Sequence, residues 1–117
     1  MHEATLMSPT SPILQQYERI AELSGQMLEL ARANEWDAVV SLSRDYAQAV
    51  ENLKALQPLN DEDLLARKPL LARILQDDAS IRHLASPELA RLGTLLGNMR
   101  RHQNVLETYL APSKNRP

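Results

Sequence analysis

Apolar residues recur along the chain at alternating spacings of three and four, the period of helices that bury one face. Ile13, Tyr17, Ile20, Met27 and Ala31 form the first stripe; Ser24 occupies one slot of it, and Leu23 and Leu30 widen it. Ser11-Pro12 stands ahead of the stripe, a hydroxyl to accept an orphan amide proton followed by a fixed φ at the first helical position. The spacing predicts a helix from about Pro12 to Ala33. Asn34 is the expected break, because Asn tolerates the left-handed conformation that closes a helix and can also cap the next one, with Asp37 at the capping-box position. A second helix over 35–56 would bury Trp36, Val39, Val40, Tyr46, Ala47, Val50 and Leu53 and end at Gln57-Pro58-Leu59.

Asn60 with Asp63 repeats the capping arrangement and opens a third helix over 61–85, which Pro69 either kinks or restarts. Ser86-Pro87-Glu88 reads as a cap, a first-turn proline and an early acid, so a last helix is expected over 87–110. Its stripe is Leu89, Leu92, Leu96, Met99, Gln103, Leu106 and Leu110, with Pro112 ending the pattern. Residues 1–10 and 111–117 lack periodicity and are expected to be mobile. Helices of roughly 30 Å each, joined by short connections, predict an all-α antiparallel bundle of about four helices with up-down topology, one domain over residues 11–110.

Composition supports this picture. Apolar residues make up 44% of the 117 and aromatic residues only 3%, with no Phe, which argues for an aliphatic helical core and against a sheet. The absence of cysteine removes disulfides, thiolate metal sites and cysteine nucleophiles. A formal charge of -2 argues against direct nucleic-acid binding. No run approaches the ~20 apolar residues of a membrane span, and Met1-His2-Glu3 is no basic leader, so neither membrane insertion nor a signal peptide is expected.

Candidate chemistry is sparse. His2, His83 and His102 never occur one helical turn apart, so no metal site is expected, and no phosphate loop, nucleophile elbow or dinucleotide fingerprint suggests a cofactor or an enzyme. His83, in Arg82-His83-Leu84-Ala85, could serve histidine phosphotransfer, a chemistry also carried by small helical bundles; the Lys and Gly that usually follow such a histidine are replaced by Ala85-Ser86-Pro87. Asp77 and Asp78 diverge by about 100° on a helix and read as a solvated face rather than an acid-base pair. Arg100-Arg101-His102, with Lys114 and Arg116, reads as a cation-rich helix end.

The third helix carries more apolar surface than one neighbour needs. Leu70, Ile74, Ile81 and Leu84 make one stripe; Leu71 and Leu75 continue through Asp78 to Arg82 along a second, about 100° away. Either the second stripe is a docking face, or the helix is central and both stripes are buried.

Leu28-Glu29-Leu30-Ala31-Arg32-Ala33-Asn34-Glu35-Trp36-Asp37, preceded by Tyr17-Glu18-Arg19-Ile20-Ala21-Glu22-Leu23-Ser24, resembles the first two helices of the flagellar protein FliT family. That family commonly carries a Leu-x-x-Ala-x-x-Gly-x-Trp-like segment, and Asn34 stands here in place of its glycine. Ile74-Leu75-Gln76-Asp77-Asp78 and Leu92-Gly93-Thr94-Leu95-Leu96-Gly97 also resemble family segments, so the likeness covers most of residues 13–110. It implies a cytoplasmic type III export chaperone that binds the C-terminal region of the filament-cap protein FliD and prevents its premature assembly. Delivery would run through the export ATPase complex and the export-gate protein FlhA; in some bacteria such proteins also restrain the master activator FlhDC. The alternative within this class is a regulatory module that inhibits a transcription factor and has no export client. The resemblance places Leu71, Leu75 and Arg82, with Asp78 between them, on the partner-contact stripe of helix three. It makes the C-terminal helix, through Leu92, Leu96, Met99 and Leu106, a cover that regulates access. Exposed aliphatic stripes would also suit a homodimer of swapped or stacked helices.

Overall fold

The structure, a computed structural model, describes residues 11–56 and 61–110. Helix α1 spans Pro12–Arg32 and α2 Trp36–Lys54; α3 spans Asp61–Ala85, a 3-10 turn follows at Ser86–Glu88, and α4 spans Leu89–Leu110. No strand occurs among the described residues, and the all-α reading holds. Four separate helices do not. Helical backbone is continuous from Asp61 to Leu110, so the described residues make three helical runs, the last bent back on itself.

Local chemistry explains the ends. Ser11, extended at φ -62 and ψ 154, accepts a 3.2 Å hydrogen bond from the Leu14 amide through its Oγ and caps α1, with Pro12 in the first turn. At the other end Asn34 is left-handed at φ 63. Its amide donates to the Ala31 carbonyl at 3.0 Å, and the next amide, Glu35, reaches back to Leu30 at 2.8 Å, the paired bonds of a Schellman closure. Asn34 does not cap α2, contrary to the capping-box expectation with Asp37: the residue ahead of α2 is Glu35, whose side chain makes no cap bond, and the Asn34 Oδ1 instead accepts the Trp36 indole proton at 2.8 Å. The anticipated stop at 57–59, the Asn60 cap and the two ends of the chain, 1–10 and 111–117, lie outside the described residues.

Pro69 neither restarts nor ends α3. The carbonyl that loses its partner to a proline is four residues back, here Leu65, and that residue is 70% exposed, so water can take over the bond. Ser86-Pro87-Glu88 is a bend rather than a loop and a fresh cap: the Ser86 hydroxyl donates backwards to the His83 carbonyl at 3.2 Å, and no side chain caps the turn. A second bend lies at Leu92, at φ -110 and ψ 19.

Side-chain contacts set the directions. The Gln16 side-chain amide donates to the Ala49 carbonyl at 3.0 Å, so α1 and α2 run antiparallel. Arg67 bonds the Tyr17 hydroxyl at 3.0 Å, and Ser24 bonds Asp77 at 2.8 Å, so α3 runs parallel to α1. Beyond the bend α4 returns along α3 and crosses to α2, where the His102 and Tyr46 rings meet edge to face at 5.7 Å. The sequence neighbours α2 and α3 make no close backbone approach, and neither do α1 and α4. Around the bundle the order is therefore α1, α2, α4, α3. The core is filled by Tyr17, Ile20, Met27, Val39, Tyr46, Val50, Leu53, Ile74 and Ile81 among others.

Candidate functional site

The region of interest is the seat on which α4 rests. Leu92, Leu95, Met99 and Leu106 are buried and Leu96 is partly buried, so the apolar stripe of α4 closes over the α2 and α3 side of the core. Leu89, expected to begin that stripe, is 62% exposed. The 3-10 turn and the Leu92 bend swing the first turn of α4 out of register, and Leu95, absent from the expected pattern, is buried instead.

The seat is not purely apolar. Asp78 on α3 is 1% exposed; its Oδ2 accepts a 2.9 Å hydrogen bond from Arg82 Nε, while its Oδ1 is buried with no hydrogen-bond partner. Tyr46 from α2 and His102 from α4 are the other two members, and the Tyr46 hydroxyl and the His102 Nδ1 are likewise buried and unpartnered. Burial pushes the Asp78 carboxyl above its ordinary value, and Arg82 pulls against that rise. Burial, reinforced by the Asp78 and Asp77 carboxylates, pushes the Tyr46 phenol up as well, which holds it neutral. His102 is pushed down, first by burial and then by the neighbouring Arg101. Each unmatched group carries a desolvation cost of about 1–3 kcal/mol, and the three lie on three helices that meet only because α4 is docked.

The stripe expected to face a partner is largely core. Leu71 is 1% exposed and Asp78 is sealed, while Leu75, packed against the core, and Arg82 each reach the surface in part. Of the two readings left open for α3, the central helix applies over most of its length: α1 packs on one side and α4 on the other, and only Leu84, at the end of the first stripe, is exposed. The structure thus brings Asp78 and Arg82 together with Met99 and Leu106 of α4 around one seat. The part played there by Tyr46 and His102 was not anticipated. Nothing local distinguishes Tyr46 from an ordinary stripe residue, and its role arises from a residue more than fifty positions away. His83 is exposed on the last turn of α3. Among the described residues no cluster of His, Asp and Glu could hold a metal, and no helix is long and apolar enough to cross a membrane.

Comparison with known proteins converges on one family. The family model described as flagellar protein FliT matches residues 14–111, which takes in all three helical runs. The chain belongs to the FliT family of flagellar proteins. Among FliT relatives, the protein of Yersinia enterocolitica is 37% identical over 102 residues and that of Yersinia pseudotuberculosis 38% over 103; each match covers 83% of this chain and 83% of the relative. The crystal structure of flagellar protein FliT from Bordetella bronchiseptica is 40% identical, superposes with a TM-score of 0.61, and covers 74% of this chain and 100% of that one. Membership in the FliT family gives the chain a flagellar role.

Proposed function

We propose that this FliT-family protein is a non-enzymatic, cytosolic export chaperone that binds the C-terminal region of FliD and holds it back from premature assembly. It would hand that client to the export apparatus through the export ATPase complex and FlhA. The observation that carries the reading is the seat of α4. An amphipathic helix with apolar residues three and four apart occupies a groove between α2 and α3, and the floor of that groove contains polar atoms that α4 leaves without partners. A helix held over unmatched polar groups is the element most easily exchanged for another amphipathic helix of better match. In this reading Leu71 and Leu75 supply the apolar floor, Asp78 and Arg82 set orientation, and Leu92, Leu96, Met99 and Leu106 are the intramolecular competitor. Restraint of FlhDC would be a second use of the same exposed state.

The test is calorimetric titration of the C-terminal segment of the cognate FliD into the full chain and into a Met99→Ala, Leu106→Ala variant with loosened α4. If α4 competes, the variant binds more tightly in proportion to the larger open fraction. No binding to either form, with both folded, removes the client and leaves the regulatory module, for which co-purification of FlhDC without FliD or the export ATPase is the signature.

A further inference from the structure

Two shallow grooves flank the last turns of α3, away from the buried seat. One, of about 390 Å³, lies between α3 and α4 and is lined by Arg82, His83, Leu89, Leu96 and Arg100. The other, of about 410 Å³, lies between α1 and α3 and is lined by Leu28, Arg32 and Leu84. They share Ala79 and His83, which form the low ridge between them. Neither groove is lined by a carboxylate, although the chain carries 15 acidic residues against 13 lysines and arginines. Leu84 and Leu89, 37% and 62% exposed, stand one on each side of the ridge. Leu89 is exposed because of the bend before α4, so the feature is built by tertiary structure and is absent from the helical pattern.

The cations differ in availability. Arg82 Nε is taken by Asp78, and Arg32 is shared with Glu29 at 3.5 Å. Arg100 and the His83 side chain have no ion pair or hydrogen bond among the described residues. A surface with exposed leucines on both flanks, free cationic and donor groups between them and no carboxylate in its lining selects for apolar contact and negative charge on one ligand. It lacks the aromatic platforms and the continuous basic track that nucleic acid requires.

We propose that this ridge is a second docking surface, which takes an acidic amphipathic helix from a partner protein. Its leucine-type residues lie against Leu84 and Leu89, and its carboxylates lie against Arg100 and His83. The surface is complete with α4 seated and shares Arg82 and Leu96 with the client groove, so displacement of α4 would dismantle it, while its existence in the seated state does not rest on the function proposed above.

The experiment is an NMR titration of the full-length, isotope-labelled protein with two short helix-favouring peptides, both with a leucine face, one carrying glutamates and the other lysines on the remaining face. The glutamate peptide is expected to shift the amides of Ala79, His83, Leu89 and Arg100. Its affinity should fall by about tenfold in Arg100→Glu, and further as salt is raised. Leu84→Ser with Leu89→Ser, both at exposed positions and therefore compatible with the fold, should weaken it comparably. Equal binding of the lysine peptide, shifts confined to another face, or indifference to all three substitutions would overturn the proposal. Self-association of the protein that disappears in the double serine variant would overturn it too, by making a second copy the occupant.

Discussion

Two helix-helix contacts in this protein match their buried polar groups to different degrees. Between α1 and α3 the polar side chains drawn inward bond across the contact, and among the described residues one buried atom there, the Arg67 Nε, is left over. The Ser24 hydroxyl lies 2.8 Å from Asp77 and 3.0 Å from the Ala21 carbonyl, and Arg67 bonds Tyr17 with its guanidinium carbon 5.8 Å from the centre of that ring. Under α4, by contrast, Tyr46, Asp78 and His102 each keep a buried polar atom unmatched. Since a satisfied buried hydrogen bond contributes about 1 kcal/mol and an unsatisfied group costs about 1–3 kcal/mol, the proposed function makes the first contact the permanent one and the second, with three unmatched groups, the removable one. On the function proposed above, the difference makes the bundle a three-helix unit carrying a displaceable fourth element.

The largest test of that contrast compares two fully buried leucines. Leu71→Ala is expected to lower global stability by about 2–5 kcal/mol in denaturant unfolding, because Leu71 belongs to the permanent unit. Leu106→Ala removes equal bulk at the conditional contact. Its cost should appear as faster amide exchange in α4 with α1 to α3 still protected. Equal loss of protection everywhere would show that the four elements unfold as one.

Smaller effects sharpen the same line. Ser24→Ala takes a donor from Asp77 and should destabilise by about 1–2 kcal/mol, read from the thermal midpoint. Tyr46→Phe should act in the opposite sense: it deletes an unmatched hydroxyl while keeping the ring against His102, and a gain of about 1 kcal/mol, with slower α4 exchange, is expected. A loss instead would mean that the hydroxyl is partnered in solution.

The smallest effect is in pH. His102 has its pKa held below the ordinary 6.5, so its contribution to stability is complete above 6.5 and is lost as pH falls below that value. Mild acidification should therefore loosen α4 first, by less than about 1 kcal/mol because the ring is half-buried, and His102→Gln should abolish that dependence. Asp78 has the other sign. Its pKa is raised above 3.8, so its contribution is complete below 3.8 and fades as pH climbs through the raised value. The two can be separated by comparing α4 exchange in the His102→Gln and Asp78→Asn variants across the acid range.

Much of the fold was legible because it is local. The serine-proline start of α1, the left-handed turn at Asn34 and the stripes on α1 and α2 each depend on residues within a few positions of one another, where capping geometry and helical period act directly. Other features depended on surroundings. Pro69 stays within a helix because the carbonyl it orphans is at an exposed residue, and Ser86 turns its hydroxyl back to His83 instead of forward to a cap. Of the expected site, Met99 and Leu106 lie where the period puts them, whereas Leu71 and Asp78 are inside because α3 has protein on two sides.

Taken alone, the sequence determined that the chain is helical, roughly where each helix lies and which face of α1, α2 and most of α4 is apolar, since period and capping are properties of short segments. Family resemblance was legible in the residues around Asn34 and Trp36. Tertiary structure decided which helices touch, that α1 and α3 run side by side, and that the last two helices are one bent run. It also decided that Tyr46, Asp78 and His102, from three helices, share one poorly satisfied seat. Burial and pairing are relations between distant segments, and no periodicity within one segment encodes them.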